Sequence, residues 1–213
     1  GHLQGVVTAH ALMEVLRREH IEDLHRMAGI QRETAQARMA IEAPPVRRTR
    51  DRLPWLLVGL AGSMLATFVV ASFEAALQAK IALAFFVPAI VYLADAIGTQ
   101  TEAIAVRGLS LSHAPMRELV WGEMRTGLLI GTVLGAFAWP AVWVAFGDVH
   151  LASTVALSLV VAGTVATTIG LLLPWALARL GRDPAFGSGP IATIVQDVLS
   201  LAIYFAIASL LLR

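Results

Sequence analysis

Residues 190–212 read PIATIVQDVLSLAIYFAIASLLL, an apolar run that is interrupted by one carboxylate at Asp197. The run is long enough to cross a bilayer as a helix, which takes about 20 residues. A carboxylate at membrane depth costs about 2.5 to 3.5 kcal/mol on insertion scales, so such a group usually faces a cavity, a partner or an ion path. Asp95 interrupts a second apolar run in the same way. The two acids therefore predict a carrier or channel for a positively charged species.

The composition is that of an integral membrane protein. Hydrophobic residues make up 57% of the 213 positions and charged residues only 15%, with a mean hydropathy of +0.72. The absence of cysteine excludes disulfides, thiolate metal sites and cysteine nucleophiles. We expect an all-α, polytopic protein with five transmembrane helices, at 54–77, 81–105, 119–146, 151–179 and 189–212.

The basic residues that flank these runs predict the orientation. They alternate between rich and poor flanks: Arg47, Arg48, Arg50 and Arg52 precede the first run, and only Lys80 follows it. Because cytoplasmic flanks carry the excess of Arg and Lys, we expect the N-terminus inside and the C-terminus outside. The same rule accounts for the Arg47–Arg52 cluster, so that nucleic-acid binding is not indicated.

The first 50 residues have the pattern of a soluble segment. A short strand at Gly5–Thr8, with Thr8 as an N-cap, precedes a helix over Ala9–Ala28 with Gly29 as its C-cap. A second helix, over Arg32–Ile41, is stopped by the two prolines that follow. Two helices of this size form no core of their own, so they pack on another surface or remain a partly ordered tail.

Within the spans, small residues predict close helix packing. Gly127, Gly131 and Gly135 recur at every fourth position and form a flat stripe on one helix face. Pro88 lies inside the second span and leaves a backbone carbonyl without its helical partner. Neighbouring helices or a polar cavity must then satisfy that carbonyl.

The helix rise places the two acids at a similar depth. With 1.5 Å per residue, Asp197 lies about 12 Å from the cytoplasmic end of the last span, and Asp95 roughly 9 to 15 Å from the same side. Glu102 follows Asp95 by seven residues on the same helical side. Thr193 and Gln196 flank Asp197 and could orient water around a cation. Oxygen ligands without cysteine or histidine suit a hard cation such as Mg²⁺.

Each acid also has a structural interpretation. Asp197 could be a protonated or hydrogen-bonded structural acid, and Asp95 could be capped by the Gly-Thr-Gln sequence after it. Glu123 could reach a cytoplasmic cavity or be neutralised by a nearby arginine. Glu74 would attract cations at a vestibule or be a solvated end residue, and Asp183 would be an interfacial ligand or a turn acid.

Two long stretches resemble a known family. Phe85-Phe86-Val87-Pro88 through Gly98-Thr99-Gln100 to Leu109, and Asp183-Pro184-Ala185 through Thr193 and Asp197 to Leu210, closely resemble the second and fifth transmembrane helices of MgtE magnesium transporters. The similarity extends over nearly all of residues 50–213. Residues 1–30 look like the end of a CBS domain and 31–53 like the connecting plug helix, which leaves 54–213 as the pore domain.

The resemblance implies a homodimer in the cell membrane with a pore at its two-fold axis, lined by the second and fifth helices. Paired Asp197 side chains would bind a largely hydrated Mg²⁺. Independently of the resemblance, the positions of the polar residues predict further metal contacts from Asp95, Thr193, Glu123 and Asp183. Pore-lining positions would be Pro88, Ala96, Gly98, Thr99, Gln100 and Gln196, with Glu74 and Glu102 at a vestibule. Flux would run into the cell, and cytosolic Mg²⁺ would close the plug helices.

One departure from the family pattern leaves alternatives open. The chain has Asp95-Ala96-Ile97 where the family usually has Gly-Gly-Asn, so the ion could be Co²⁺, Ni²⁺ or Mn²⁺, or the protein a coupled exporter. A different class is a membrane scaffold or sensor whose acids are structural. An enzyme is not indicated, because no nucleophile and base pair, metal triad or phosphate loop can be assigned.

Overall fold

The computed structural model describes residues 7–28, 42–185 and 188–212. Within these ranges the chain is all-helical and has no strand. The described residues form seven helices: α1 (Ala9–Met27), α2 (Pro45–Ser72), α3 (Glu74–Ala79), α4 (Ala82–Leu111), α5 (Met116–Phe146), α6 (Val149–Arg179) and α7 (Ser188–Leu211). Five of them, α2 and α4 to α7, are long and apolar enough to cross a membrane. The predicted all-α, multi-pass class is therefore confirmed.

The first span differs from its predicted bounds at both ends. Helix α2 begins at Pro45, where a proline is tolerated because the first helical N–H has no intrahelical acceptor. It ends at Ser72, because Phe73 has a non-helical backbone with φ of −109°, and the short α3 follows. The run at 54–77 is thus two helices, and no helix end lies at the predicted boundary of residue 53.

The N-terminal predictions are covered only in part. Thr8 caps α1 as predicted, because the N–H of Ala11 donates to Thr8 Oγ1 at 3.2 Å. The predicted strand at Gly5–Thr8 lies partly outside the described residues. The C-cap at Gly29 and the helix at Arg32–Ile41 lie entirely outside them.

Helix α6 is the centre of the bundle. Half of its spanning window is buried, and it packs on α4, α5 and α7. The glycine stripe of α5 lies against α6: a β-carbon added at Gly131 would lie 2.6 Å from the Cα of Val160, and one at Gly135 would lie 2.9 Å from the carbonyl oxygen of Ala156. The predicted packing role of the stripe is therefore confirmed.

One end of the bundle has an apolar core. Leu83, Ile90, Leu151, Tyr204 and Phe205 are fully or almost fully buried there. The hydroxyl of Tyr204 donates to the carbonyl oxygen of Leu83 at 2.9 Å, which fixes α7 against the start of α4. The opposite end of the same α4–α7 pair contains the polar residues, so the core holds the two helices in register for the site.

Helix α2 lies at the periphery. It packs on α7, and only 6% of its spanning window is buried. Its large apolar side chains, including Leu57, Met64 and Phe68, are exposed. This pattern is expected of a helix that faces lipid, because hydrocarbon tails accept such side chains at no cost.

Candidate functional site

A cleft of about 820 Å³ lies where α2 and α7 meet, beside α4 and the end of α1. Asp197 and Thr193 of α7, Thr99 of α4 and Ser63 of α2 contribute polar side chains to it. We call it the Asp197 cleft, and its lining residues are Met27, Ala28, Arg52, Trp55, Leu56, Gly59, Ser63, Thr99, Gly189, Pro190, Thr193, Ile194 and Asp197.

Small residues on α2 leave the space for this cleft. A β-carbon added at Gly62 would lie 2.5 Å from the Ile194 side chain, so α2 approaches α7 closely at that level. One turn away, nothing lies within 4 Å of the β-carbon position of Gly59, and Ser63 has only a short side chain. The two helices therefore touch at Gly62 and leave an opening beside it.

Asp197 lies in the wall of the cleft and not against a basic group. Its side chain is half-buried, and no salt bridge or hydrogen bond from residues 7–28, 42–185 or 188–212 to its carboxylate is seen. Its backbone carbonyl accepts the hydroxyl of Ser200 at 3.1 Å. The carboxylate is thus available to an ion or to water in the cleft.

Asp95 faces the same region from α4. The carboxylates of Asp95 and Asp197 are close enough to interact electrostatically, as are those of Asp95 and Glu102. Asp95 is half-buried, and its Oδ1 is buried without a hydrogen bond within the described part of the chain. The structure therefore brings together the two acids whose depth the helix rise predicts to be similar.

The other pore-lining candidates divide between two environments. Thr99, Gln100 and Pro88 are exposed and Ala96 is half-buried, whereas Gly98 and Gln196 are buried in contact with each other. Glu102, a predicted vestibule residue, is only 1% exposed. In this structure it lies inside the helix packing, beside Ser188 at the start of α7.

The remaining predicted acids lie outside the Asp197 cleft. Glu123 accepts a hydrogen bond from Thr101 Oγ1 at 3.2 Å, on the side where α4 meets α5. Asp183 accepts the N–H of Ala185 at 2.9 Å in the turn before α7. Glu74 is exposed and accepts from Gln78 at 2.9 Å, at the far end of the bundle. Among the described residues, no group of three acidic or histidine side chains could hold a metal.

Residues of α2 and α1 complete the cleft, and sequence reasoning did not predict them. Arg52, Gly59 and Ser63 lie on one face of α2 at helical spacing. Small and polar residues that recur on one face of an otherwise apolar helix are a pattern from which this part of the cleft could have been predicted. Met27 and Ala28 at the end of α1 also line the cleft. No local pattern indicates that contact.

Helix α1 is held on the bundle by two contacts. Asp23 forms a salt bridge with Arg107 near the end of α4. The carbonyl of Met27 lies against Gly189, where any β-carbon would overlap it. Helix α1 therefore docks at the end of the bundle at which the Asp197 cleft opens.

Comparison with known proteins points to one family. Residues 87–207 match the family model of MgtE, described as a divalent cation transporter. The chain is 33% identical over 218 residues to a magnesium transporter MgtE of Thermus thermophilus, with all of the chain and 47% of the relative covered. It is 32% identical over 215 residues to that of Enterococcus faecalis (100% and 46%) and 33% over 210 residues to that of Bacillus subtilis (97% and 46%). The chain thus spans about half the length of these curated relatives.

Proposed function

Because the chain belongs to the MgtE family of divalent cation transporters, we propose that it carries Mg²⁺ across the cell membrane through a channel-like pore. The relatives that it matches over its whole length are named magnesium transporters. The observation that carries the proposal is the position of Asp197. It is an unpaired carboxylate in the wall of a cleft between spanning helices.

The size of the cleft suits a hydrated ion. Mg²⁺ gives up its waters reluctantly and is held by few carboxylates. A water molecule takes about 30 Å³, so an octahedral shell of waters fills about 180 Å³. The cleft, at about 820 Å³, accommodates such an ion with its shell. Asp197 would hold it through water, with the hydroxyls of Thr193 and Thr99 as further partners of that water.

A homodimer with the pore at its axis accounts for the outer face of α4. Gln100 lies outside the Asp197 cleft and is polar and exposed in a spanning helix, where contact with lipid is costly. A second copy across a two-fold axis would cover this face and bring a second Asp197 to the same passage. Two carboxylates would then face one divalent cation, which offsets their repulsion.

The proposed orientation puts the opening of the cleft in the cytoplasm. The Arg47–Arg52 cluster and α1 lie at this end of the bundle, as the positive-inside rule requires. Gating by cytoplasmic Mg²⁺ would act through α1, because Met27 and Ala28 at its C-terminal end line the cleft. An ion bound between acidic groups of the soluble part would hold this helix over the opening. The α2 face would remain in contact with lipid.

Asp95 favours a second candidate for the ion. It adds a carboxylate that interacts with Asp197, and a stronger anionic field also suits Mn²⁺, Co²⁺ or Ni²⁺. A competition series of divalent ions against the wild type and Asp95→Asn separates these candidates. If Mg²⁺ is preferred equally by both proteins, Asp95 does not select the ion.

The test of transport is Mg²⁺ uptake into proteoliposomes. We expect Asp197→Asn to abolish most of the uptake, whereas Glu118→Gln, which neutralises an exposed acid in the first turn of α5, leaves it unchanged. Size-exclusion chromatography checks that both variants remain folded. Equal uptake by wild type and Asp197→Asn would contradict the proposal and favour a scaffold or sensor with structural acids.

A further inference from the structure

The buried polar side-chain atoms without a well-formed hydrogen bond, among the described residues, all lie between two helices, and only Ser188 and Glu102 among them approach each other as donor and acceptor. They are Asp95 Oδ1 and Glu102 Oε1 on α4, and Ser188 Oγ, Gln196 Oε1 and Gln196 Nε2 on α7. We call these four residues the α4–α7 seam. Native proteins rarely leave such atoms unpaired, so their concentration in one place needs an explanation.

The geometry of the seam is set by tight packing. Asp95 and Glu102 are two helical turns apart on one side of α4, and Gly98 lies between them under the side chain of Gln196. A β-carbon at Gly189, next to Ser188, would lie 3.9 Å from Glu102 Oε1. On the other side, α6 closes the seam, since a β-carbon at Gly170 would lie 2.5 Å from the carbonyl oxygen of Gly98.

The seam is separate from the Asp197 cleft. None of its four residues lines that cleft. Glu102, Ser188 and Gln196 are 1%, 0% and 3% exposed, whereas Asp197 is half-buried. Asp95 lies between the two places, because its carboxylate interacts electrostatically with both Glu102 and Asp197.

The charge of the seam requires compensation. It contains two carboxylates, and no salt bridge from the described residues reaches either of them. The nearest arginine along α4, Arg107, binds Asp23 and is more than half exposed. An uncompensated buried charge costs several kcal/mol, so a positive species must accompany these acids when they are ionised.

The donor set indicates which species that is. The oxygens of the seam come from two carboxylates, an amide and a hydroxyl, which are the ligands of hard cations. Only two of these ligands are acids. The seam is therefore not one of the clusters of three acidic or histidine side chains, of which the described part of the chain has none. The close packing leaves little room for a full shell of waters.

We propose that the α4–α7 seam of each subunit holds a hard cation, either Na⁺ or a Mg²⁺ that keeps part of its water shell, at a position distinct from the Asp197 cleft. The cation links Glu102 and Asp95 of α4 to Ser188 and Gln196 of α7. It thereby ties together the two helices that line the proposed pore, at the end where α1 docks. Binding of a cation at the α4–α7 seam does not require that the protein transports ions.

The test is thermal unfolding of the purified full chain in choline chloride, NaCl or MgCl₂ at equal ionic strength. We expect the cation of the seam to raise the Tm of the wild type, and the salt that does so distinguishes Na⁺ from Mg²⁺. Glu102→Gln should lose this rise and be at least as stable as the wild type in choline chloride, because the amide removes the uncompensated charge. Glu118→Gln, the exposed control, should keep the full rise.

Two further variants keep the result interpretable. Asp197→Asn should keep the rise of the seam, since that residue belongs to the cleft. Gln196→Met, which retains the volume but removes the amide oxygen, should weaken ion binding if Glu102→Gln does not fold. The inference is overturned if both seam variants respond to the salts as the wild type does, or if no salt raises the Tm of the wild type. Because uptake is not measured, failure here leaves the transport proposal intact.

Discussion

The side chain of Gln196 lies directly on Gly98 and fills the space that a β-carbon at that position would need. This contact sets the distance between α4 and α7, and therefore the positions of Asp95 and Asp197 relative to each other. On its other side Gly98 meets α6, since a β-carbon added at Gly170 would lie 2.5 Å from the carbonyl oxygen of Gly98. Three helices thus meet at one residue that has no side chain.

Replacing this glycine should weaken the bundle. Gly98→Ala forces Gln196 out of its place, and overpacking of this kind costs about 1 to 3 kcal/mol. Gly122→Ala is the matched control, because nothing lies within 4 Å of its β-carbon position; in a helix the change to alanine gains up to about 1 kcal/mol. Thermal unfolding in detergent measures both. A second change, Gln196→Ala, should restore much of the loss, and equal Tm values for Gly98→Ala and the wild type would contradict the packing described.

At the end of the bundle away from the Asp197 cleft, Asp148 makes two interactions that join neighbouring loops. Asp148 caps α6 by accepting the N–H of Leu151 at 2.9 Å, and it also pairs with Lys80. Asp148→Asn keeps the cap and loses the ion pair, so it should cost the same as Lys80→Gln, up to about 1 kcal/mol.

Asp148→Ala should cost about 1 kcal/mol more than Asp148→Asn, because the cap is lost as well. The free energy of unfolding of the three variants, from denaturant titration, checks this order. If Asp148→Ala and Asp148→Asn were equally stable, the cap would have no energetic role.

The docking of α1 should depend on the charges of Asp23 and Arg107. Arg107→Glu replaces the attraction with repulsion, and we expect backbone hydrogen exchange in residues 7–28 to become about two- to tenfold faster. Asp23→Arg combined with Arg107→Glu reverses both charges and should restore the wild-type rate. A double variant that exchanges as fast as Arg107→Glu alone would show that the pair does not hold the helix.

The sequence was sufficient to predict five long apolar helices and the proximity of the two acids. Apolar length predicts the five long helices, and the regular rise of a helix puts Asp95 and Asp197 at the same level. Neither inference requires knowledge of how the helices are rotated. The break at Phe73 was missed because apolar residues continue past it to Leu77, so hydropathy shows no boundary there.

The rotation of α4 could not be predicted from its sequence. Thr99 and Glu102 are less than one turn apart, and either could face the cleft. The structure puts Thr99 in the cleft and buries Glu102, because Gly98 must face Gln196 and Gly170. Two contacts of α1 could not be predicted either, because each joins residues that are distant in sequence. They are the contact of Met27 with the cleft and the salt bridge of Asp23 with Arg107.

The most direct test of the central claim asks whether water and ions reach the Asp197 cleft. The chain has no cysteine, so a single cysteine can be placed by Thr193→Cys, with the exposed apolar Leu129→Cys on α5 as the lipid-facing control. The measurement is the rate of reaction with a membrane-impermeant, positively charged thiol reagent in liposomes, with and without Mg²⁺. We predict that Thr193→Cys reacts and that Mg²⁺ slows the reaction, while Leu129→Cys does not react. A Thr193→Cys protein as unreactive as the control, or one whose reaction Mg²⁺ leaves unchanged, would contradict an ion site at Asp197.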